Sequence, residues 1–265
     1  MKKLIVLVLL SYSFAGFAND SAAVRIGGQL EFKKTDDIAM VTENLMISVN
    51  KVRVDYTFHN DTDHDIEELI AFPIEEEVFE YDALEAKERD EFLKDYIKNI
   101  NFKLNSSAKV SNVEHEIKFD KNIVHVTYHW KQLFPAGKTI SVSHEYVPSG
   151  GFVTSVGASP KEWNEWHNWQ TVQKDYCVEP KLNDWIFKNS QWVNQVHYIL
   201  KTGANWKKPI ERFKLIIKKE SPEQKVSLCA DGLKKINDTT FQLEKTDFLP
   251  IEDLRVLFIN PAESQ

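Results

Sequence analysis

The sequence predicts a mainly β fold: two antiparallel β-sandwich-like domains with two or three short helices inserted. Three observations carry this expectation. Apolar residues alternate with polar ones over many short runs, the period-2 signature of half-buried strands. Clusters of turn formers separate the runs at regular spacing, as in sandwiches. The 265-residue chain is also longer than one small sandwich needs, so two β domains meeting near Gly150 are expected.

The first element is a leader. In MKKLIVLVLLSYSFAGFAND, Lys2 and Lys3 form a basic n-region, Leu4 to Leu10 an apolar h-region, and Gly16-Phe17-Ala18 a small-x-small cleavage signal. A bilayer span needs ~20 apolar residues, more than this run supplies. Residues 1–18 therefore form a signal peptide, with cleavage expected after Ala18. Asn19 rather than Cys follows the cut, so a bacterial lipid-anchor signal is missing. No later apolar stretch is long enough for an integral membrane span. The expected location is periplasmic or secreted.

Residues 19–150 form the expected N-terminal β domain. In ENLMISVNKVRVDYTFHN, Leu45, Ile47 and Val49 alternate with polar or smaller residues, and after Asn50-Lys51 so do Val52, Val54, Tyr56 and Phe58. This pattern gives a strand, a tight turn and a second strand. NDTDHD, from Asn60 to Asp65, is dense in turn formers, and IEELIAFPI resumes an extended run. NVEHEIKFDKNIVHVTYHW is a second hairpin, turning at Asp120-Lys121-Asn122. TISVSHEYVP adds a strand before Pro148-Ser149-Gly150-Gly151. An acidic helical insertion, about residues 75–98, interrupts these strands. Its helix is expected to begin near Asp82, with Glu85 three residues on as in a capping box. Leu84, Phe92, Leu93, Tyr96 and Ile97 line one face of it.

Residues 151–265 form the expected C-terminal β domain, preceded by a Trp-rich helical segment. Ser159-Pro160-Lys161-Glu162 combines an N-cap serine, proline at the first helical position and a glutamate completing the box. A third, weaker helix is expected to carry Trp185 and Trp192, whose seven-residue spacing puts them on one face. Strands then return in QVHYILKTG, ERFKLIIKK, KVSLCADG, TTFQLEK and DLRVLFIN.

Charge and cysteine usage narrow the chemistry. The chain carries 33 Lys and Arg against 40 Asp and Glu, and residues 61–95 alone hold 15 acidic and 3 basic residues. Phosphate binding requires clustered Lys and Arg, so no nucleic-acid partner is expected. Cys177 and Cys229 are the two cysteines. In an oxidising compartment an even pair forms one disulfide, provided the Cα atoms approach within ~7 Å. HNDTDHDIEE looks metal-like, but an EF-hand loop starting at Asp61 would place Ile66 where Gly is needed and Phe72 where Glu is needed. A solvated turn is expected there rather than a metal site built from His59, Asp61 and His64. His125 and His129, four apart on a strand, lie ~13 Å from each other, too far to share a metal, and are expected at the surface or between domains. Zinc-protease, nucleophile-elbow and phosphate-loop motifs are all missing. No catalytic residue, metal or cofactor is assigned.

NDSAA at the mature start, GGQLEF, IAFPI, FPAGK, HEYVPSGG, LKTGANWKKPIERFKLII and SLCADG together resemble the bacterial family called domain of unknown function 4424. The likeness runs over almost the whole mature chain, and the block from Thr202 to Leu215 is its most specific part. The resemblance implies a secreted, mostly β protein of Gram-negative bacteria. It brings no established activity, so no catalytic residue follows from it. The acidic stretch from Glu75 to Glu80, with its helix, looks like a local elaboration.

The leading functional expectation is a non-catalytic envelope protein that binds or supports another component, either an envelope protein or a glycan. One alternative is a carbohydrate-binding or cell-wall-acting protein with Trp163, Trp166 and Trp169 as its stacking platform. Another is a hydrolase whose site is assembled from distant residues. On a helix the three indoles spread over an arc of about 120°. A patch of that size is expected to bury itself against the sheets or between the domains.

Overall fold

The computed structural model describes residues 19–26, 29–77, 86–120, 123–148 and 169–262. The first half contributes β1 (Ser21–Ile26), β2 (Gln29–Phe32), β3 (Ile38–Ile47), β4 (Val52–Asn60), β5 (Ile66–Glu77), α1 (Ala86–Ile100), β6 (Lys103–Ser106), β7 (Glu114–Asp120), β8 (Ile123–Phe134) and β9 (Thr139–Tyr146). The second contributes α2 (Trp169–Asp175), α3 (Pro180–Asn189), β10 (Ser190–Tyr198), β11 (Ile210–Lys218), β12 (Lys225–Ser227), β13 (Lys234–Asn237), β14 (Thr240–Phe248) and β15 (Leu254–Pro261). A 3-10 turn covers Lys201–Asn205. The fold is mainly β, as the alternation predicts.

The described strands form three sheets. Their orders are β2-β1-β5-β8-β7, β10-β15-β12 and β13-β14-β11-β3-β4-β9-β6. Neighbours are antiparallel, with one exception: β11 runs parallel to β3, Leu215 opposite Leu45. That pairing crosses the boundary expected near Gly150, so the seven-stranded sheet takes strands from both sides of it. A parallel pair cannot be closed by a tight turn, which is why local patterning does not reveal it. One hydrophobic core also runs through both halves. It joins Leu45, Tyr56 and Phe58 to Phe72 and Trp130, and to Tyr198, Phe213 and Phe258.

Both predicted hairpins form. The Ser48 N–H donates to the Lys51 carbonyl at 2.8 Å, closing the turn between β3 and β4. Asn60 organises the next corner: its amide donates to the carbonyls of His64 and Phe134, each at 2.9 Å. Its Oδ1 accepts the Thr62 N–H at 2.9 Å and hydroxyl at 2.8 Å. Pro73 sits on β5 just beyond Leu69–Ala71, the stretch paired with β1, where its missing N–H breaks no ladder bond on that side.

Three expectations are corrected. Glu75, Glu76 and Glu77 belong to β5, paired with His125, Val124 and Ile123, so the acidic run begins as strand. Backbone pairing overrides the charge because β8 offers a free ladder edge there. Trp192 lies in β10 opposite Asn260 rather than on a helix with Trp185, since α3 ends at Asn189 and Ser190 is already extended. His129 is buried, with the Arg25 guanidinium of the neighbouring β1 reaching its ring at 3.3 Å. Burial holds its pKa below the usual imidazole value.

The helices cover the remaining apolar surface. On α1, Tyr96 and Ile100 are buried in the main core and Phe92, Leu93 and Ile97 pack against it. Asp82, Leu84 and Glu85, the expected start of that helix, lie outside the described residues. A second cluster joins Trp169, Tyr176 and Ile186 to Val193, Leu257 and Ile259 of the three-stranded sheet. That sheet therefore buries both faces, because Val196, Val256 and Phe258 point into the main core.

Candidate functional site

Side chains alternate across a strand, so residues that seal the core leave their neighbours facing outward. In β3 a register shift between Met40 and Thr42 sets the phase. Beyond it, Leu45 and Ile47 are buried while Asn44 is exposed. Midway along β3, β4 and β9 the outward residues are small and polar, flanked toward one end by Arg53 and Glu145. Cross-strand pairing arranges them in two rows. Thr42 lies opposite Thr57, and Thr57 opposite Ser141; Asn44 lies opposite Asp55, and Asp55 opposite Ser143. Asn105 of β6 extends the second row beyond Ser143. Strands are ~4.8 Å apart, so each row offers a hydroxyl, amide or carboxyl at about that interval.

With Ser106 and Ser107, these residues line an open cleft of about 340 Å³. Thr42 and Asn44 also line a second cleft of about 390 Å³, together with Arg212, Lys214, Glu244, Lys245 and Thr246. The two clefts meet along β3. The Thr42 and Thr57 hydroxyls share a hydrogen bond of 2.7 Å. Asp55 is engaged by Arg53 through Nε at 3.0 Å and Nη2 at 2.6 Å. The first cleft thus presents hydroxyls and amides, with its one carboxylate already paired. That is a surface for hydrogen bonding. A serine nucleophile needs a base within reach, and the lining of this cleft contains no imidazole.

The inward face of the same strands holds a second polar cluster. Glu43 lies opposite Tyr56 in register and is fully buried. Asn19 Nδ2 donates to its Oε2 at 3.1 Å and the Tyr198 hydroxyl to its Oε1 at 3.2 Å. The Tyr56 hydroxyl donates to Asn19 Oδ1 and lies 3.0 Å from that of Tyr198. Asp20, also buried, pairs with His144 Nε2 at 2.9 Å. Burial pushes the Glu43 carboxyl up to about 8 and raises that of Asp20, against the pull of His144. Both tyrosines are driven well above the usual phenol value, again mainly by desolvation.

Two sequence blocks assemble this cluster. The Thr202 hydroxyl donates to the Asn19 carbonyl at 3.0 Å. The Trp206 indole donates to the Asp20 carbonyl at 2.8 Å, and Asn205 Nδ2 to Ser21 Oγ at 2.9 Å. At Gly203 an added Cβ would come within 2.9 Å of Asn19 Nδ2. NDSAA and TGANW are therefore the two halves of one contact.

The predicted site residues fare as follows. Cys177 and Cys229 form a disulfide, with Cα atoms 5.1 Å apart. Trp163 and Trp166 lie outside the described residues. Trp169 is buried, donates its Nε1–H to Asn183 Oδ1 at 2.9 Å and meets Phe187 edge-on at 5.9 Å. His59 approaches Asp61 at 3.4 Å, while His64 instead meets Asp63 at 3.1 Å. Asp61 is held by Lys207 at 2.8 Å. Among the described residues no group of three or more His, Cys, Asp and Glu could hold a metal ion.

Sequence reasoning missed Glu43 and His144. The signal was there: Glu43 falls in phase with the buried Leu45 and Ile47, and His144 in phase with Val142 and Tyr146. An ionisable residue at a core position of an alternating run marks a buried polar network or a site.

Comparison with known proteins agrees with this architecture. The family model described as domain of unknown function (DUF4424) matches residues 18–105 and 80–257. The fold is similar to a crystal structure from Legionella pneumophila named as a "putative nutrient binding protein", with 17% identity and a TM-score of 0.54. The match covers 91% of this chain and 70% of that one. No curated protein matches the chain.

Proposed function

From a chain that belongs to the DUF4424 family, we propose an exported, non-catalytic binding component of the bacterial envelope. Its ligand is neutral and rich in hydroxyl groups, of the glycan class, and it docks along the outer face of the seven-stranded sheet. The observation that carries this reading is the paired rows of Thr42, Thr57 and Ser141 and of Asn44, Asp55, Ser143 and Asn105. Hydroxyls and amides satisfy both donors and acceptors of such a ligand without requiring a net charge. The Legionella structure, named for nutrient binding, supports a binding role on this architecture.

Export is part of the proposal. The basic, apolar and small-residue order of residues 1–18 supports cleavage after Ala18, and the Cys177–Cys229 disulfide suits an oxidising compartment. Among the described residues no helix is long and apolar enough to cross a membrane.

Purified protein screened against glycan and peptidoglycan panels tests the reading. Asn44→Arg places a bulky cation where the two clefts meet. It should abolish glycan retention while shifting the melting temperature by no more than a degree or two, as surface substitutions do. Unchanged binding by this variant, or no glycan bound by the wild type, refutes the assignment.

A further inference from the structure

We propose that the α-ammonium group released on Asn19 by cleavage after Ala18 is the buried counter-ion of Glu43, so that the fold closes around the processed N-terminus. The inference rests on the export reading above, and adds to it a role for the new terminus.

Asn19, Asp20 and Ser21 are all buried, although they directly follow the leader in sequence. Their place is specific. Asn19 bridges Glu43 and the two tyrosines, Thr202 and Trp206 grip the backbone carbonyls of residues 19 and 20, and Gly203 leaves no room for a side chain beside Asn19. The amine belongs to the same residue whose side chain already touches Glu43.

The cluster contains no lysine or arginine side chain. It contains two carboxyls, Asp20 and Glu43, two phenols, Tyr56 and Tyr198, and one imidazole, His144, which serves Asp20. The groups acting on Glu43 are Asn19, Tyr198 and Asp20, none of them a cation. The hydrogen bonding around the cluster is also incomplete. Among the described residues, Asp20 Oδ1 is buried without a hydrogen-bond partner. Burial favours the protonated form of a carboxyl that has no cation beside it, in line with the raised Glu43 carboxyl, whose hydrogen bonds from Asn19 and Tyr198 only partly offset desolvation.

Processing changes this balance. Hydrolysis of the Ala18–Asn19 amide consumes one water, leaving a carboxylate on the leader and, with the proton that the acid releases, an ammonium on Asn19. A free α-amino group ordinarily titrates near 7.7–8.0, and a carboxylate alongside favours its charged form. The product carries three N–H donors and a full charge, where the uncleaved amide had one N–H and none.

The test compares two chains released from a fusion by a protease, one beginning at Asn19 and one retaining Ala18. The Asn19 chain should melt roughly 5 °C or more above the other, on the scale by which ~2 kcal/mol moves a domain of this size. Glu43→Gln should erase most of the difference. Labelling of the terminal amine at pH 7 should be at least tenfold slower on Asn19 than on Ala18. The pH profile supplies a further readout. In the Ala18 chain Glu43 is raised from 4.5 to about 8. The folded state then binds the extra proton between those values, so stability falls as pH rises through that window. The Asn19 chain should lack this loss. Equal melting temperatures, or a gap that Glu43→Gln leaves intact, overturn the proposal. If Glu43→Gln does not fold, a fully reactive Asn19 amine overturns it alone. Intact-mass measurement of the exported protein checks cleavage separately: a retained leader refutes the export reading without touching the comparison of the two released chains.

Discussion

Replacing both Cys177 and Cys229 by serine should lower stability by about 4 kcal/mol, because the bridge closes a loop across 52 positions. In the chain-entropy model a loop of that length removes about 14 cal/mol/K from the unfolded ensemble, or about 4 kcal/mol at 25 °C. The native side of the comparison should change little. Cys177 follows α2 with φ of 52°, and serine, which also carries a Cβ, keeps the same left-handed backbone cost. The corner is held independently: Ser227 Oγ donates to the carbonyls of Tyr176 at 2.8 Å and Cys177 at 3.2 Å. At roughly 2 °C per kcal/mol for a chain of this size, the melting temperature should drop by about 8 °C. Scanning calorimetry of the oxidised wild type, the double variant and the reduced wild type measures this, and the last two should coincide. A drop under about 2 °C, or reduced wild type melting like the oxidised form, would refute the reasoning.

Asn60→Ala deletes a buried amide that serves two carbonyls and accepts two donors. It should cost about 2–4 kcal/mol, read from the urea midpoint at unchanged slope. Trp130→Ala empties one of the largest fully buried positions and should cost about 3–5 kcal/mol; a loss under 1 kcal/mol in the same assay would show that the core between the sheets collapses around the gap. Burial, with Arg255 nearby, pulls His197 from 6.5 down to about 4, so it is neutral in the fold. The unfolded chain takes up the proton first, hence the His197 contribution is complete above about pH 6.5 and lost as pH falls toward 4. Melting temperature followed over that range should decline less steeply in His197→Phe, and an identical acid limb would count against this assignment.

The hairpins were legible because their cause is local. Val52, Val54, Tyr56 and Phe58 are buried one after another, since alternate side chains of a strand share one face. The outer cleft was only half legible. Thr42, Asn44, Thr57 and Ser143 are plainly polar and outward by the same alternation. The rows they form, however, depend on which strands lie side by side. Trp192 failed for a related reason: a seven-residue spacing suits one helix face, but the backbone becomes extended at Ser190, between the two rings.

What the sequence determined by itself is what short-range physics can carry: strand periodicity, turn positions, the basic-then-apolar order of the first residues, the parity of the cysteines and a charge balance unfavourable to polyanions. The tertiary structure alone decided that β3 would take β11 as a parallel neighbour. It also decided that TGANW would close over NDSAA, and that Glu43 would face Tyr198 across the core. Each of these joins residues more than 150 positions apart. Such contacts follow from how whole sheets pack to exclude water, and no local pattern along the chain encodes the choice of partner.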